Sequence, residues 1–256
     1  FPEIIADEGI DIVCRGEGEG ALIDIMDAID GGKDISHTQN CWVKKDGVII
    51  KNELRPFINN LDTLPFPDRN IYKKYKLLRR TQGVFIAGRG CPFQCSFCFN
   101  HVLMKLYKGK GPFVRLGCPA NVIAELAYTK EKENLKTGLM TDDTFTLNKN
   151  WVIEFCQLYA QRIKLPFICL VRADCCDEVI VQSLAAAGCR RVFMGIESGD
   201  EQIRNRLLKK RLTDAQICRA ADLLHKNNIK FRTYNMVGLP GESLDDVFKT
   251  VTLNVK

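Results

Sequence analysis

Val84-Phe-Ile-Ala87-Gly-Arg-Gly90-Cys91-Pro-Phe-Gln-Cys95-Ser-Phe-Cys98-Phe-Asn100 is the stretch on which the reading of the whole chain turns. Its first four residues are an apolar run suited to a short strand, and Gly88 and Gly90 open it into a loop. Three cysteines, Cys91, Cys95 and Cys98, then fall within eight residues. Thiolates are the ligands of iron–sulfur clusters, and a four-iron cubane ordinarily takes four of them. No fourth cysteine follows at a ferredoxin spacing; the next is Cys118. A cubane held by three thiolates leaves one iron open, and an open position is what catalytic metal sites keep and structural ones close. Two plainer readings compete. His101 completes a Cys3His zinc site in one, and the three thiols are incidental core residues in the other. Zinc knuckles favour paired C-x2-C units or histidine partners, and this chain has only three histidines.

Downstream, strand-like and helix-like stretches alternate. Val84–Ala87 is followed by a predicted helix after Pro119 bearing Val122, Ile123, Leu126 and Ala127 on one face. Gly138–Thr141 is the second predicted strand, and Val152, Phe155, Cys156 and Tyr159 mark the helix after it. Phe167–Val171 is the third. Asp177 caps a helix carrying Ile180, Leu184 and Ala187, which Gly188 ends. Arg191–Ile196 is the fourth strand, Thr213 with Gln216 forms a capping box, Lys230–Val237 is the fifth strand, and Ser243 opens a last helix. Successive parallel strands need such crossovers. The fold class is therefore α/β: a partial (β/α) barrel with its chemistry on the loops that follow the strands.

The first 80 residues differ. Ile10–Cys14 is a short strand, and the glycine-rich turn Arg15–Gly20 follows it. A helix with Leu22, Ile25, Met26 and Ile29 on one face then runs to Gly31 and Gly32. Trp42 to Ile50 reads as a hairpin on an Asp46-Gly47 turn, and Asn60–Arg69, with Pro65 and Pro67, as a linker. The predicted divisions are 1–35, 36–79 and 80–256. Phe1 in place of Met, and a last residue inside a helical stretch, are read as cut ends of a larger barrel protein.

Composition narrows the class. With 256 residues and 46% hydrophobic content the chain can bury a full core. No apolar run approaches the roughly 20 residues of a membrane span, and no signal peptide opens it. Net charge is +6, and the basic residues Lys73, Lys74, Lys76, Arg79, Arg80 and Lys209, Lys210, Arg211 lack interleaved aromatics, so a solvated surface rather than a nucleic-acid face is expected. Twelve cysteines in so long a chain point to reduced, cytoplasmic thiols rather than a disulfide scaffold. Cys169 and Cys189 read as small buried hydrophobes, and the Cys175-Cys176 pair fits no second cluster.

The C-x3-C-x2-C spacing, with Phe97 before the third cysteine, resembles the radical SAM superfamily. Asp142-Asp143-Thr-Phe145 resembles the family's acidic motif after the second strand. Gly195-Ile-Glu197-Ser198-Gly199 resembles its segment after the fourth, and Gly238-Leu-Pro-Gly241-Glu242 its turn after the fifth. The resemblance implies a [4Fe–4S] cluster on Cys91, Cys95 and Cys98. S-adenosylmethionine would be held by Asp142 or Asp143 at its ammonium, Glu197 and Ser198 at the ribose, and Gly238 and Gly241 at the adenine. Phe97 would lie beside the cofactor, and Arg172 would grip a carboxylate. Read as bare residues, the aspartates are also a solvated turn, Ser198 a helix cap and Arg172 a rim ion-pair residue. Val13 to Glu19 resembles the end of a Rossmann-like cobalamin-binding domain, so 1–35 is expected to be its remnant and cobalamin a cofactor of the intact protein. The resemblance implies reductive cleavage of S-adenosylmethionine to a 5′-deoxyadenosyl radical, with cobalamin-dependent methyl transfer to an unactivated carbon of a small molecule. The electron donor would be a flavodoxin or ferredoxin. A cobalamin-free methylthiotransferase, an oxidative cyclase acting on a tetrapyrrole-like substrate, and a zinc-organised or electron-transfer module are the alternatives.

Overall fold

A computed structural model describes residues 2–72 and 81–256. The basic residues Lys73, Lys74, Lys76, Arg79 and Arg80 lie outside the described residues. The chain divides into two compact units, one of residues 1–59 with 102–113 and one of residues 60–101 with 114–256.

In the first unit, β1 (Ile12–Cys14) pairs antiparallel with β2 (Cys41–Lys45), which pairs antiparallel with β3 (Val48–Lys51). The hairpin is the predicted one: Asp46 and Gly47 both take positive φ, 49° and 76°, the pattern of a tight type I′ turn. Between β1 and β2 runs α1 (Glu19–Asp30), which buries Ala21 against Cys41 and Val43. Cys14 stands directly opposite Cys41 in the β1–β2 register. Gly16 is left-handed at φ 80°, and the ring of Tyr107 fills the place where a Cβ would stand. The Tyr107 hydroxyl accepts from Glu17 N at 3.1 Å and donates to Arg15 O at 3.4 Å, which pins the glycine-rich turn.

The second unit holds a five-stranded, wholly parallel sheet. Its strands are β4 (Gln82–Phe85), β7 (Thr137–Met140), β8 (Phe167–Val171), β9 (Cys189–Glu197) and β10 (Lys230–Asn235), stacked side by side in that order. The crossovers are α3 (Pro119–Lys132), α4 (Lys149–Arg162), α5 (Glu178–Ala186) and α6 (Asp214–Lys226), and α7 (Leu244–Val255) follows the last strand. A two-residue ladder, β5 (Gly88–Arg89) with β6 (Arg115–Leu116), brackets the cysteine loop and α2 (Asn100–Leu106). This is the architecture of a (β/α) barrel wall, as the alternation predicts.

One apolar core, from Phe85 and Ile123 through Phe155, Phe167 and Val192 to Leu224, fills the space between sheet and helices. Helix starts follow the sequence. Pro119 opens α3, Asp177 accepts from Ile180 N at 2.9 Å, and Thr213 with Gln216 forms the reciprocal capping box. Strand limits shift by a few residues. The first strand ends at Phe85 rather than Ala87, because Ile86 is 61% exposed beyond the last β7 partner. The fifth ends at Asn235, where the ladder with β9 slips by one residue. Among the described residues no helix is long and apolar enough to cross a membrane.

Candidate iron–sulfur and S-adenosylmethionine site

The motifs singled out in the sequence follow strands of this sheet, at their C-terminal ends. Gly90, at φ 85°, turns the chain out of β5 into the cysteines. A side chain at Gly88 would meet Arg115 O at 2.9 Å, so the ladder partner leaves room only for glycine there.

Each of the three sulfurs has its own polar neighbour, and the three come from different stretches of chain. Cys91 Sγ lies 3.8 Å from Thr144 Oγ1 in the loop after β7. Cys95 Sγ lies 3.9 Å from Arg172 Nη1, just past β8. Cys98 Sγ accepts from Asn100 Nδ2 at 3.6 Å. Cys91 and Cys95 are buried, at 9% and 8% exposure, while Cys98 is half-buried. Burial pushes the Cys91 thiol above its ordinary value, against a backbone hydrogen bond from Phe93 and the Thr144 contact. The loop is also tied to the segment after β9: Ser96 N donates to Leu208 O at 2.9 Å and Ser96 Oγ to Leu207 O at 2.6 Å.

Among the described residues no three His, Cys, Asp or Glu side chains stand close enough to hold a single metal ion. A cubane bridges its thiolates through iron and sulfide and holds them farther apart than one cation does. Polar groups beside the sulfurs are the contacts that tune such a cluster. Three thiols on one loop, each with a polar neighbour, fit the ligand set of such a cluster.

The loop after β7 presents its two aspartates differently. Asp142 is buried; its Oδ1 accepts from Ala87 N at 3.0 Å and Gly88 N at 2.6 Å, and among the described residues its Oδ2 has no hydrogen-bond partner. Asp143 is exposed. Phe145 anchors the loop in an aromatic cluster, edge-on to Trp151 at 5.5 Å and to Phe155 at 5.1 Å. Desolvation lifts the Asp142 carboxyl from 3.8 to about 6, and the Ala87 and Gly88 amides only partly oppose it. The native state thus holds this proton more tightly than the unfolded chain does. The stability linked to it is complete below about pH 4 and is lost as the pH rises through about 6. Asp142→Asn is expected to raise stability at pH 8 by up to about 3 kcal/mol, with the gain fading toward pH 4. Urea midpoints at the two pH values check it. A variant less stable at pH 8 contradicts a desolvated carboxylate.

Glu197 ends β9 in a left-handed conformation, φ 73°. Its Oε1 lies 2.9 Å from Lys210 Nζ in a pair only 11% and 8% exposed at the side chains. A Cβ at Gly195 would lie 2.8 Å from that same Nζ, so the glycine makes room for the pair. Ser198 is fully buried, and its hydroxyl accepts from Asp200 N at 3.2 Å, capping the turn after β9. Gly238 and Gly241 take φ of 82° and 76°, and Glu242 Oε2 accepts from Gly238 N at 2.6 Å and Leu239 N at 3.1 Å. Nothing stands near either absent Cβ, so backbone conformation rather than crowding calls for glycine here. Phe97 is 42% exposed, with Lys210 Nζ 5.8 Å from its ring centre.

One residue departs from the sequence reading, and a second takes one of the two roles read for it. Lys210 is expected on solvated surface with Lys209 and Arg211, yet it is buried while its two neighbours are exposed and left-handed. Residues 209–212 alternate out and in, a pattern that three consecutive basic residues do not announce in the sequence. Arg172, read as a grip for a carboxylate or as a rim ion-pair residue, has its guanidinium engaged by Cys95, Asp174 and the Lys210 carbonyl. Cys169, Cys176 and Cys189 are buried in the core.

A parallel β/α wall with a three-cysteine loop after its first strand and acidic residues after its second and fourth defines a cluster-binding barrel. The chain belongs to the radical SAM superfamily, whose family model matches residues 85–253. The cofactors that go with that family are a [4Fe–4S] cluster and S-adenosylmethionine, and Cys91, Cys95 and Cys98 all lie within the matched residues. An uncharacterized methyltransferase of Pyrococcus horikoshii is 28% identical over 246 residues, spanning 94% of this chain and 52% of its own length. The anaerobic magnesium-protoporphyrin IX monomethyl ester cyclase of Rubrivivax gelatinosus is 27% identical over 267 residues, spanning 98% and 46%. The chain therefore spans about half the length of these curated relatives. Among solved structures, the radical S-adenosylmethionine methyltransferase TsrM of Kitasatospora setae, with cobalamin and a [4Fe–4S] cluster bound, superposes with a TM-score of 0.78. It is 19% identical and covers 96% of this chain and 51% of its own. The cobalamin-dependent enzyme OxsB, with aqua-cobalamin and S-adenosylmethionine bound, gives 0.77 at 20% identity, covering 94% and 35%.

Proposed function

We propose that this protein cleaves S-adenosylmethionine reductively and uses cobalamin to transfer a methyl group to an unactivated carbon of a small-molecule substrate. The observation that carries the first part is the set of three thiols, each beside its own polar neighbour, together with a buried aspartate, one oxygen of which has no hydrogen-bond partner among the described residues. When bound, the cluster supplies one electron to the sulfonium and an open iron for the methionine end. Around it, Cys91, Cys95 and Cys98 hold the irons. Asp142 Oδ2 accepts the methionine ammonium and regains a charged partner in doing so. Glu197, 2.9 Å from Lys210 Nζ, accepts from the ribose hydroxyls. The Gly238–Glu242 turn offers a backbone free of side chains to the adenine.

The cobalamin half rests on likeness to TsrM and OxsB, which bind cobalamin and cover 96% and 94% of this chain. Residues 1–35 are read as the end of a cobalamin-binding domain on that basis, and a flavodoxin or ferredoxin as the electron donor. The cyclase relative favours a second reading, radical oxidation of a tetrapyrrole-like substrate.

Anaerobic reconstitution of the protein with iron and sulfide is expected to give about four irons per chain and, with dithionite, 5′-deoxyadenosine from S-adenosylmethionine. Adding hydroxocobalamin and S-adenosylmethionine labelled at the methyl group separates the readings by mass spectrometry. Labelled methylcobalamin supports methyl transfer. Label confined to S-adenosylmethionine, with 5′-deoxyadenosine still formed, favours oxidation, and a protein that takes up no cluster removes both.

A further inference from the structure

Arg172 touches three stretches of chain that are distant in sequence. Its Nη1 faces Cys95 Sγ at 3.9 Å, its Nη2 donates to Lys210 O, and its Nε lies 2.7 Å from Asp174 Oδ1. Its guanidinium carbon stacks 3.8 Å from the ring centre of Phe93, two residues before Cys95. The side chain is 6% exposed, so this cation acts where water screens it little. It thereby links the cysteine loop, the end of β8 and the segment that carries Lys210. A guanidinium suits the position because its planar fork makes several directed contacts while its face packs on an aromatic ring.

We infer that Arg172 is a positioning residue that clamps the cysteine loop and makes the bound cluster easier to reduce, rather than a grip for the methionine carboxylate. The inference rests on the three cysteines holding a cluster. A cluster on three thiolates is anionic and gains a further negative charge on reduction, so a fixed cation beside one of its ligands favours the reduced form. Asp174, paired to the same guanidinium and 3.9 Å from the Cys175 thiol, cancels part of that charge. The two residues therefore have opposite effects on the same equilibrium, and that opposition separates an electrostatic role from a merely structural one.

The test is a dye-mediated potentiometric titration of the reconstituted holoprotein, read by electron paramagnetic resonance without S-adenosylmethionine. Arg172→Gln is expected to lower the ratio of reduced to oxidised cluster about tenfold at the wild-type midpoint, a shift of about 59 mV to more negative potential. Asp174→Asn is expected to shift the ratio the other way. Arg172→Lys, which keeps the charge and loses the fork, is expected to stay within about twofold of wild type and to take up less cluster. Arg172→Gln titrating with the wild type while its dissociation constant for S-adenosylmethionine rises more than about tenfold would overturn the inference in favour of a carboxylate grip. Shifts of one sign in Arg172→Gln and Asp174→Asn overturn it too. If Arg172→Gln takes up no cluster, Asp174→Asn still decides, because an unchanged midpoint there contradicts the opposition. A wild-type protein without a cluster takes away the reading on which the inference stands, and the inference with it.

Discussion

Cys98→Ala yields a folded protein that holds less iron than a single cluster needs after reconstitution and releases no measurable 5′-deoxyadenosine. Cys98 is the most exposed of the three thiols, and its sulfur accepts from Asn100 Nδ2. Removing a half-buried sulfur outside the main core leaves stability nearly unchanged, so the melting temperature of the apo-protein is expected to stay within about 3 °C of wild type. Function has no such tolerance. Losing a partner that only orients a metal ligand costs about 10–100-fold, and losing the ligand itself leaves two thiols for a cubane. The expected fall in cleavage therefore exceeds about 100-fold. Iron analysis with product quantitation checks it. Full iron content in the variant would mean that a side chain other than Cys98 closes the site, and the cluster assignment would have to be redrawn.

Lys210→Met is the substitution with the largest expected effect on stability. It leaves Glu197 as a buried carboxylate without its partner, a change that costs about 3–5 kcal/mol and lowers the melting temperature by about 10 °C. Adding Glu197→Gln removes the stranded charge and is expected to restore most of the difference. The double variant then folds like wild type while binding S-adenosylmethionine poorly, because an amide is a weaker acceptor for the ribose hydroxyls. Thermal unfolding of the two single variants and the double variant gives the coupling energy directly. A single variant as stable as wild type would show that water reaches Glu197 and that the pair is not closed off.

Most of the barrel wall is legible in the residues because its signals are local. Thr213 with Gln216, Asp177 with Ile180, and Asp46-Gly47 each act within a few residues, and each stands where the sequence places it. The parallel order of the strands follows from their alternation with helices. What the sequence hides is pairing at a distance. Nothing within Ile12–Cys14 announces that its partner is Cys41–Lys45, beside which it lies antiparallel. The same holds for charge. Lysine and arginine read as surface residues in any local window, and only the fold reveals that Lys210 faces Glu197 and Arg172 faces Cys95. The site motifs are legible through their spacing to the strands, whereas the groups supporting them come from other elements and carry no spacing to read.

The aromatic anchoring of the loop after β7 has a consequence for how this pocket can evolve. Phe145 is wedged against Trp151 and Phe155, and Trp151 Nε1 is bonded to Gly117 O at 2.7 Å, so Asp142 is mounted on stiff masonry. New specificities are more readily carved from its outward-facing neighbour Asp143, whose exposed side chain can change without disturbing that foundation, than from any rearrangement of the loop beneath it.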